Sequence, residues 1–438
     1  VEFELEEFDC ADRREAKVRF LRPFQLDKPP LLHAALVRDK EKPLLLIDFH
    51  HLVGDGLSMP AVLRRLSEYC GGREPEPESI TYKDYCCFLE HEGKSLFEEQ
   101  REYWKQAVAD LPEPVLLPCD YKRPKQFNDQ GGKVILALDF ALGEGLESFC
   151  KEMDITPYML FAGTFAFLLY KLTDESDQVT GIPVSGRFHP GLKDIIGPFL
   201  NTLPLRIRVN GEWTVREYLQ HVKEQVIGLM DHQDLPLEEI LSLAQVKRSL
   251  NRNPLYNTMV SMRPVDSKSL EFGGRKLETD SVDTHTSKLD LSLEIYRENG
   301  VYYLGFEYAA ELFGKRTVEM YSRSCQTVLE QILKNDGSRM SDLNPVSPED
   351  AYRLFEVPGC TCTPFLDLPL DRRMETSAAR NPGRTAIVCN GRKLSFGWLK
   401  DRSDALAHCL ADAGAKRGSR IGLMCRRTPD MLASLFAI

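Results

Sequence analysis

The chain has no C-x-x-C pair, no block of like charge, no G-x-S-x-G element and no apolar run long enough to cross a bilayer. Each absence removes a class of protein. The 12 cysteines are scattered, with Cys86-Cys87 adjacent and Cys360 and Cys362 one residue apart. That spacing fits neither a zinc site nor a disulfide framework and points to reduced thiols in a cytoplasmic protein. With no basic segment, a formal net charge of -10 argues against nucleic acid and against a membrane surface as partners. The longest apolar stretch, Tyr158 to Tyr170, is too short for a membrane span and carries Gly163 and Thr164; it reads as a buried helix. The missing nucleophile elbow disfavours a serine triad.

What is present is a chain of 438 residues, 42% hydrophobic and 28% charged, long enough for two or three cores in a soluble globular protein. It opens on Val1-Glu2-Phe3-Glu4-Leu5, an alternating strand pattern and not a signal segment. Strands and helices alternate through residues 1–145, read as a first lobe, with strands at Leu31 to Val37 and Leu44 to Phe49. The Pro-rich passage from Leu111 to Pro124 reads as an extended surface connection. A second lobe, 146–343, holds the turn Gly181-Ile182-Pro183-Val184-Ser185-Gly186-Arg187, a Thr214/Glu217 capping box and a hairpin turning at Asn299-Gly300. Prolines and glycines mark 344–370 as a linker. From 371 to 438 a fresh alternation predicts a helix, a hairpin at Asn390-Gly391, a helix ended by Gly414 and a strand Ile421 to Met424. The sequence stops within a helical pattern, as a fragment of a longer domain would.

The stretch that carries chemistry runs from Leu44 to Leu66. A buried strand hands over to His50-His51-Leu52-Val53-Gly54-Asp55-Gly56, where Gly54 and Gly56 supply backbone freedom. A helix follows, with Ser58 as N-cap and Val62, Leu63, Leu66 and Tyr69 as its buried face. In an extended segment His50 and His51 point to opposite sides, so the pair makes a poor metal site and only one of them faces a given cavity. No metal is expected. The arrangement suits a histidine acting as base or hydrogen-bond partner in acyl transfer, with Asp55 holding the turn through an arginine.

These residues resemble the HHxxxDG signature of condensation domains of nonribosomal peptide synthetases. Four further motifs follow in that family's order. Tyr82-Lys83-Asp84-Tyr85 is similar to YxDY and Ile196-Gly197-Pro198-Phe199-Leu200-Asn201-Thr202 to IGxFVNT. His232-Gln233-Asp234-Leu235-Pro236-Leu237-Glu238 is similar to HQDxPFE, and Arg252-Asn253-Pro254-Leu255 to RNPL. From about 371 the sequence resembles the opening of an adenylation domain, with Leu394-Ser395-Phe396-Gly397-Trp398-Leu399 near its L-S/T-Y-x-E-L, although Gly397-Trp398 stands where x-Glu is usual. The family's two earliest motifs are missing, so the chain is expected to begin partway through the N-terminal lobe.

The resemblance implies an α/β two-layer sandwich of the chloramphenicol-acetyltransferase type, two-lobed and pseudo-dimeric, followed by the first part of an adenylation domain. It implies that His51 is catalytic, with His50, Asp55, Gly56 and Arg187 in support, Arg187 pairing with Asp55, and Ser58 and Asn253 along a substrate tunnel between the lobes. Asn201 and His232 are expected to be structural. Partners would be an upstream donor and a downstream acceptor peptidyl carrier domain and the remainder of the adenylation domain. The 4'-phosphopantetheine arms would be carried by those carriers, with no cofactor bound by this domain. An epimerisation domain, a CoA-dependent acyltransferase and an inactive scaffold share parts of the pattern; the five ordered motifs and the adenylation-like tail favour condensation.

Overall fold

A computed structural model describes residues 3–10, 12–38, 43–76, 79–246, 249, 251–263, 271–272, 275–276, 285–355 and 368–438. The chain divides into two compact units, Val1–Phe355 and Glu356–Ile438.

The first unit begins with a three-stranded sheet in which β1 (Leu5–Asp9) runs parallel to β2 (Leu32–Arg38), and β2 runs antiparallel to β3 (Leu44–Phe49). Phe8, Ala35, Val37 and Leu46 form a small core with Ala16 and Phe20 of helix α1 (Arg13–Phe20). The sequence pattern did not announce α1, because only those two of its residues are buried. After β3 come α2 (Ser58–Cys70), α3 (Tyr82–Leu96) and α4 (Glu98–Ala107). Of the face expected to be buried on α2, Leu63 is buried, Val62 and Leu66 are half-buried and Tyr69 is 61% exposed; Ser58 and Ala61 complete the buried side.

The passage from 111 to 124 is irregular, as its prolines require, yet it is pinned to the body rather than lying free on the surface. Leu117 is buried, Pro118 C=O accepts from Tyr321 Oη at 3.1 Å, and Arg123 forms an ion pair with the buried Asp290. Burial pushes the Asp290 carboxyl upward, and the Arg123 guanidinium opposes that rise.

The six-stranded sheet is built from β4 (Gly131–Ala137), β5 (Asp177–Val184), β6 (Asn201–Arg208), β7 (Thr258–Met262), β10 (Leu291–Glu298) and β11 (Val301–Ala309), in the order β4-β11-β10-β7-β5-β6. A short pair, β8 (Glu271–Phe272) and β9 (Arg275–Lys276), stands apart from it. Against the sheet pack α5 (Phe140–Met153), α6 (Pro157–Thr173), α7 (Val215–Asp231) and α9 (Lys315–Lys334), while α8 (Leu237–Ala244) packs on α4. Met159 through Leu169 of α6 are all buried, as an all-round apolar helix at the centre of a core should be. Among the described residues no single helix is long and apolar enough to cross a membrane.

Two expected boundaries shift. β4 already belongs to the six-stranded sheet, so the second lobe opens before residue 145, which falls inside α5. The first part of the expected linker is packed: in α10 (Pro348–Phe355) Asp350 accepts from Arg323 Nε at 3.0 Å and from Ser347 Oγ at 2.7 Å. Val1, Glu2, Pro358, Gly359, Cys360, Cys362 and Pro364 lie outside the described residues.

The second unit holds α11 (Leu370–Arg380), the hairpin β12 (Thr385–Cys389) and β13 (Arg392–Ser395), α12 (Phe396–Asp412) and α13 (Pro429–Ala437). Asn390 and Gly391 both have positive φ, 48° and 77°, as the tight hairpin turn demands. Ile421 to Met424 form no strand, and Met424 is 99% exposed; the described residues offer that segment no ladder partner.

Candidate active site

Residues 50 to 58 form a turn and a helix start whose side chains divide their roles sharply. His50 N–H donates to Leu31 C=O and Val53 N–H to His50 C=O, each at 3.0 Å. His50 and His51 therefore lie beyond the strand in a turn, and the alternation expected of an extended chain does not apply to them. What separates them is their environment. The half-buried His50 accepts from Leu52 N–H at Nδ1 (3.1 Å), whereas the His51 imidazole is exposed and has no hydrogen-bond partner among the described residues.

Asp55 is 1% exposed. Its Oδ1 accepts from Arg187 Nη2 (2.9 Å), Ser58 Oγ (2.9 Å), Ser58 N–H (3.0 Å) and Leu57 N–H (3.1 Å), and its Oδ2 accepts from Phe199 N–H (3.1 Å). Asp55 is thus the side chain that caps the start of α2, the role expected of Ser58. Ser58, expected along the substrate tunnel, is fully buried, and its hydroxyl is spent on hydrogen bonds within the protein. Its single hydroxyl proton can reach Asp55 Oδ1 or Gly197 C=O (3.1 Å), while its oxygen accepts from Gly197 N–H (3.2 Å).

Arg187 comes from the 185–200 loop between β5 and β6, and its side chain is 4% exposed. Beyond Asp55, its Nη1 donates to Leu192 C=O and Ile195 C=O, both at 2.9 Å, and its guanidinium lies 4.2 Å above the Phe199 ring. A guanidinium that buries its charge needs this many partners. Gly186 precedes it with φ +62°, and a Cβ there would lie 1.9 Å from Phe199 C=O. Only glycine fits.

Three of the other motifs converge on the same loop. Tyr82 donates to Pro198 C=O (3.3 Å) and packs edge-on against Phe199, and a Cβ on Gly197 would lie 2.3 Å from the Tyr82 ring. Asp84 completes a capping box with Thr81 at the start of α3. Tyr85 packs on Phe199 and Phe188; burial pushes its phenol up to about 12. Asn201 donates to Leu235 C=O (2.8 Å) and accepts from Leu237 N–H (3.2 Å), tying IGPFLNT to HQDLPLE. His232 stacks on Tyr103 at 3.9 Å and bonds Gly228 C=O through Nδ1 (2.7 Å).

Asn253 spends its carboxamide oxygen on its own turn, accepting from Leu255 N–H at 3.0 Å. Gly54 and Gly56 do not have positive φ, so conformational freedom is not their function. A Cβ on Gly54 would meet the Phe49 ring at 2.9 Å, whereas one on Gly56 would meet nothing within 4 Å. Phe199 and Gly186 were the residues that sequence reasoning missed as parts of the site. The adjacency of Gly186 to Arg187 was the available signal; the Phe199 amide gives none. Two cavities, of about 190 and 450 Å³, lie elsewhere and neither includes His51. No group of three or more His, Cys, Asp or Glu side chains among the described residues could hold a metal ion.

A family model described as "Condensation domain" matches residues 1–355, and one described as "AMP-binding enzyme" matches 374–438. Bacitracin synthase 3 of Bacillus licheniformis is 31% identical over 426 residues, covering 96% of this chain and 7% of that protein. Surfactin synthase subunit 1 of Bacillus subtilis (strain 168) is 30% identical over 443 residues, covering 100% of this chain and 12% of that protein. The chain therefore spans only a small part of the length of these relatives.

Among solved structures, the four-domain nonribosomal peptide synthetase holo-AB3403, bound to AMP and glycine, superposes with a TM-score of 0.74 at 20% identity, over 100% of this chain and 35% of that one. The first condensation domain of the calcium-dependent antibiotic synthetase, in complex with a substrate analogue, gives 0.62 at 20% identity over 78% of this chain and 80% of that one. Both show the two-lobed condensation fold. Through residues 1–355 the chain belongs to the condensation-domain family of nonribosomal peptide synthetases, and an AMP-binding segment follows at 374–438.

Proposed function

We propose that this domain forms a peptide bond, transferring an acyl or peptidyl group from one carrier-bound thioester to the amine of a second, carrier-bound aminoacyl thioester. The acceptor nitrogen attacks the thioester carbon, the C–S bond breaks, and the proton leaving the nitrogen passes through His51 to the departing sulfur. The observation that carries the reading is the contrast at the turn: an exposed His51, without a hydrogen-bond partner among the described residues, on a backbone anchored by Asp55 to both lobes. Five residues on in the same motif, a Cβ on Gly56 would meet nothing within 4 Å, which leaves space there for a reacting group. Both substrates would ride on the phosphopantetheine arms of carrier domains, the donor upstream and the acceptor downstream. The AMP-binding segment supports a place in an elongating assembly rather than an epimerising one.

Magnitudes favour positioning over proton transfer. General-base help supplies about 10²- to 10⁴-fold, whereas aligning two reactants supplies about 7–11 kcal/mol. His51 accordingly orients the amine and takes its proton late. The test loads defined donor and acceptor carriers and follows the condensed product by mass spectrometry. His51→Ala should slow its formation by roughly 10²- to 10⁴-fold. An unchanged rate would overturn the role of His51, and the absence of product from the parent protein would overturn the reaction.

A further inference from the structure

The turn that carries His51 has a side-chain cap of an unusual kind. In a β-turn the first residue is commonly Asn or Asp, whose side-chain oxygen accepts from the N–H two residues on. Here His50 is the first residue, Val53 N–H closes the turn on His50 C=O, and Leu52 N–H donates to His50 Nδ1 at 3.1 Å. Imidazole Nδ1 sits as many bonds from the backbone as the Asn oxygen does, so the ring can stand in for it. His51 occupies the second position, and neither it nor Leu52 has a positive φ.

An imidazole serves as such a cap only in one rotamer and with the Nδ1 lone pair free, which places the proton of the neutral ring on Nε2. Something must hold that rotamer. Phe24, from the loop between α1 and β2, meets the His50 ring edge to face at 5.8 Å and 79°. Its own ring is stacked on His33 of β2 at 4.2 Å and 11°. His33 lies opposite Asp48 in the β2–β3 ladder, two residues before His50, so the stack stands at the end of the sheet where the turn begins.

We infer that His50 is a positioning residue, its Nδ1 capping the turn that presents His51, and that Phe24 stacked on His33 is the platform that fixes the His50 ring. The inference rests on the reading of His51 given above. Loss of the cap lets the second position of the turn drift, and a displacement of about 1 Å can cost on the order of 10²-fold in rate.

Three variants of the full chain separate the parts. His50→Phe keeps a ring against Phe24 and removes the acceptor; His50→Asn restores the acceptor without the ring; Phe24→Leu removes the platform. With loaded carriers, His50→Phe should lower kcat by roughly 10- to 100-fold with KM within about threefold. His50→Asn should recover most of that loss, and Phe24→Leu should fall between them. Side-chain 15N spectra of the parent should show His50 protonated at Nε2 alone, and Leu52 amide exchange should quicken in His50→Phe but not in His50→Asn. A protonated Nδ1 in the parent, or His50→Asn as slow as His50→Phe, would overturn the inference. The nitrogen spectrum and the exchange rates need no turnover, so they test the cap even if His51→Ala proves fully active, a result that would remove the reading of His51 alone.

Discussion

Replacing Asp55 by Ala removes five hydrogen-bond contacts and strands the buried charge of Arg187, leaving it two carbonyls and the Phe199 ring as its main partners. Breaking one side of a buried ion pair in this way costs about 3–5 kcal/mol. Replacing Arg187 by Met is a different injury. Asp55 then keeps four donors, from Leu57, Ser58 twice and Phe199, enough to satisfy a buried carboxylate. The loss there is that of charge-assisted bonds, roughly 1.5–3 kcal/mol. For residues 1–355 the entropy of melting is on the order of 0.75 kcal/mol/K, so Asp55→Ala should lower the midpoint of the first unit by about 4–7 °C and Arg187→Met by about 2–4 °C. The double variant should be less destabilised than the sum of the two, by at least ~1 kcal/mol, because the stranded charge is gone. Thermal melts give the midpoints and denaturant unfolding the free energies of the cycle, both followed by tryptophan emission, to which the buried Trp104 contributes. An Arg187→Met variant as damaged as Asp55→Ala, or a strictly additive cycle, would refute the asymmetry.

Gly186→Ala would force a Cβ onto Phe199 C=O from a left-handed backbone and should cost at least ~3 kcal/mol, read as a fall of about 4 °C or more in the same melt. Gly56→Val meets open space, so the melt should move by less than about 0.5 kcal/mol while product formation with loaded carriers drops; an unaltered rate would show that the space is not used by substrate. Asp350 is held below the usual carboxylate range by its bonds from Arg323, against the opposing effect of burial. Its folded pKa is depressed, so its contribution is fully present above the unfolded value of about 3.9 and is lost as pH falls through the folded one. Amide exchange in α10 should therefore be protected near neutrality and rise below about pH 4 in the parent, and Asp350→Asn should abolish that acid step.

Much of the fold was legible because its signals are local. Thr214 and Glu217 form the capping box their spacing announces, and Asn299-Gly300 makes the hairpin between β10 and β11. The misses share one cause, a partner distant in sequence. Tyr69 fits the helical stripe of α2 yet is exposed, because the stripe describes periodicity and not where the neighbouring element stops. The 344–355 segment reads as linker from its prolines, and only Arg323 reveals why Ser347 and Asp350 are buried there. At the site, the pairing of Asp55 with Arg187 was legible by resemblance, but Ser58 read as a lining residue because a serine at a helix start gives no sign of the Gly197 backbone that closes over it.

Four of the five motifs divide between one exposed imidazole and the groups that hold its backbone, while Asn253 of RNPL caps its own turn. YKDY supplies an α3 cap and two rings that grip Phe199 and Gly197; IGPFLNT supplies the amide that reaches Asp55; HQDLPLE anchors the far end of that loop through Asn201. Such an arrangement fits a reaction in which alignment is worth more than proton transfer, because backbone amides and close-packed glycines fix position without offering a competing base. It also explains why the His51 turn is anchored from both lobes. A turn held only by its own lobe would move with it, whereas Asp55, bonded to Leu57 and Ser58 on one side and to Arg187 and Phe199 on the other, keeps the turn in one register with both lobes.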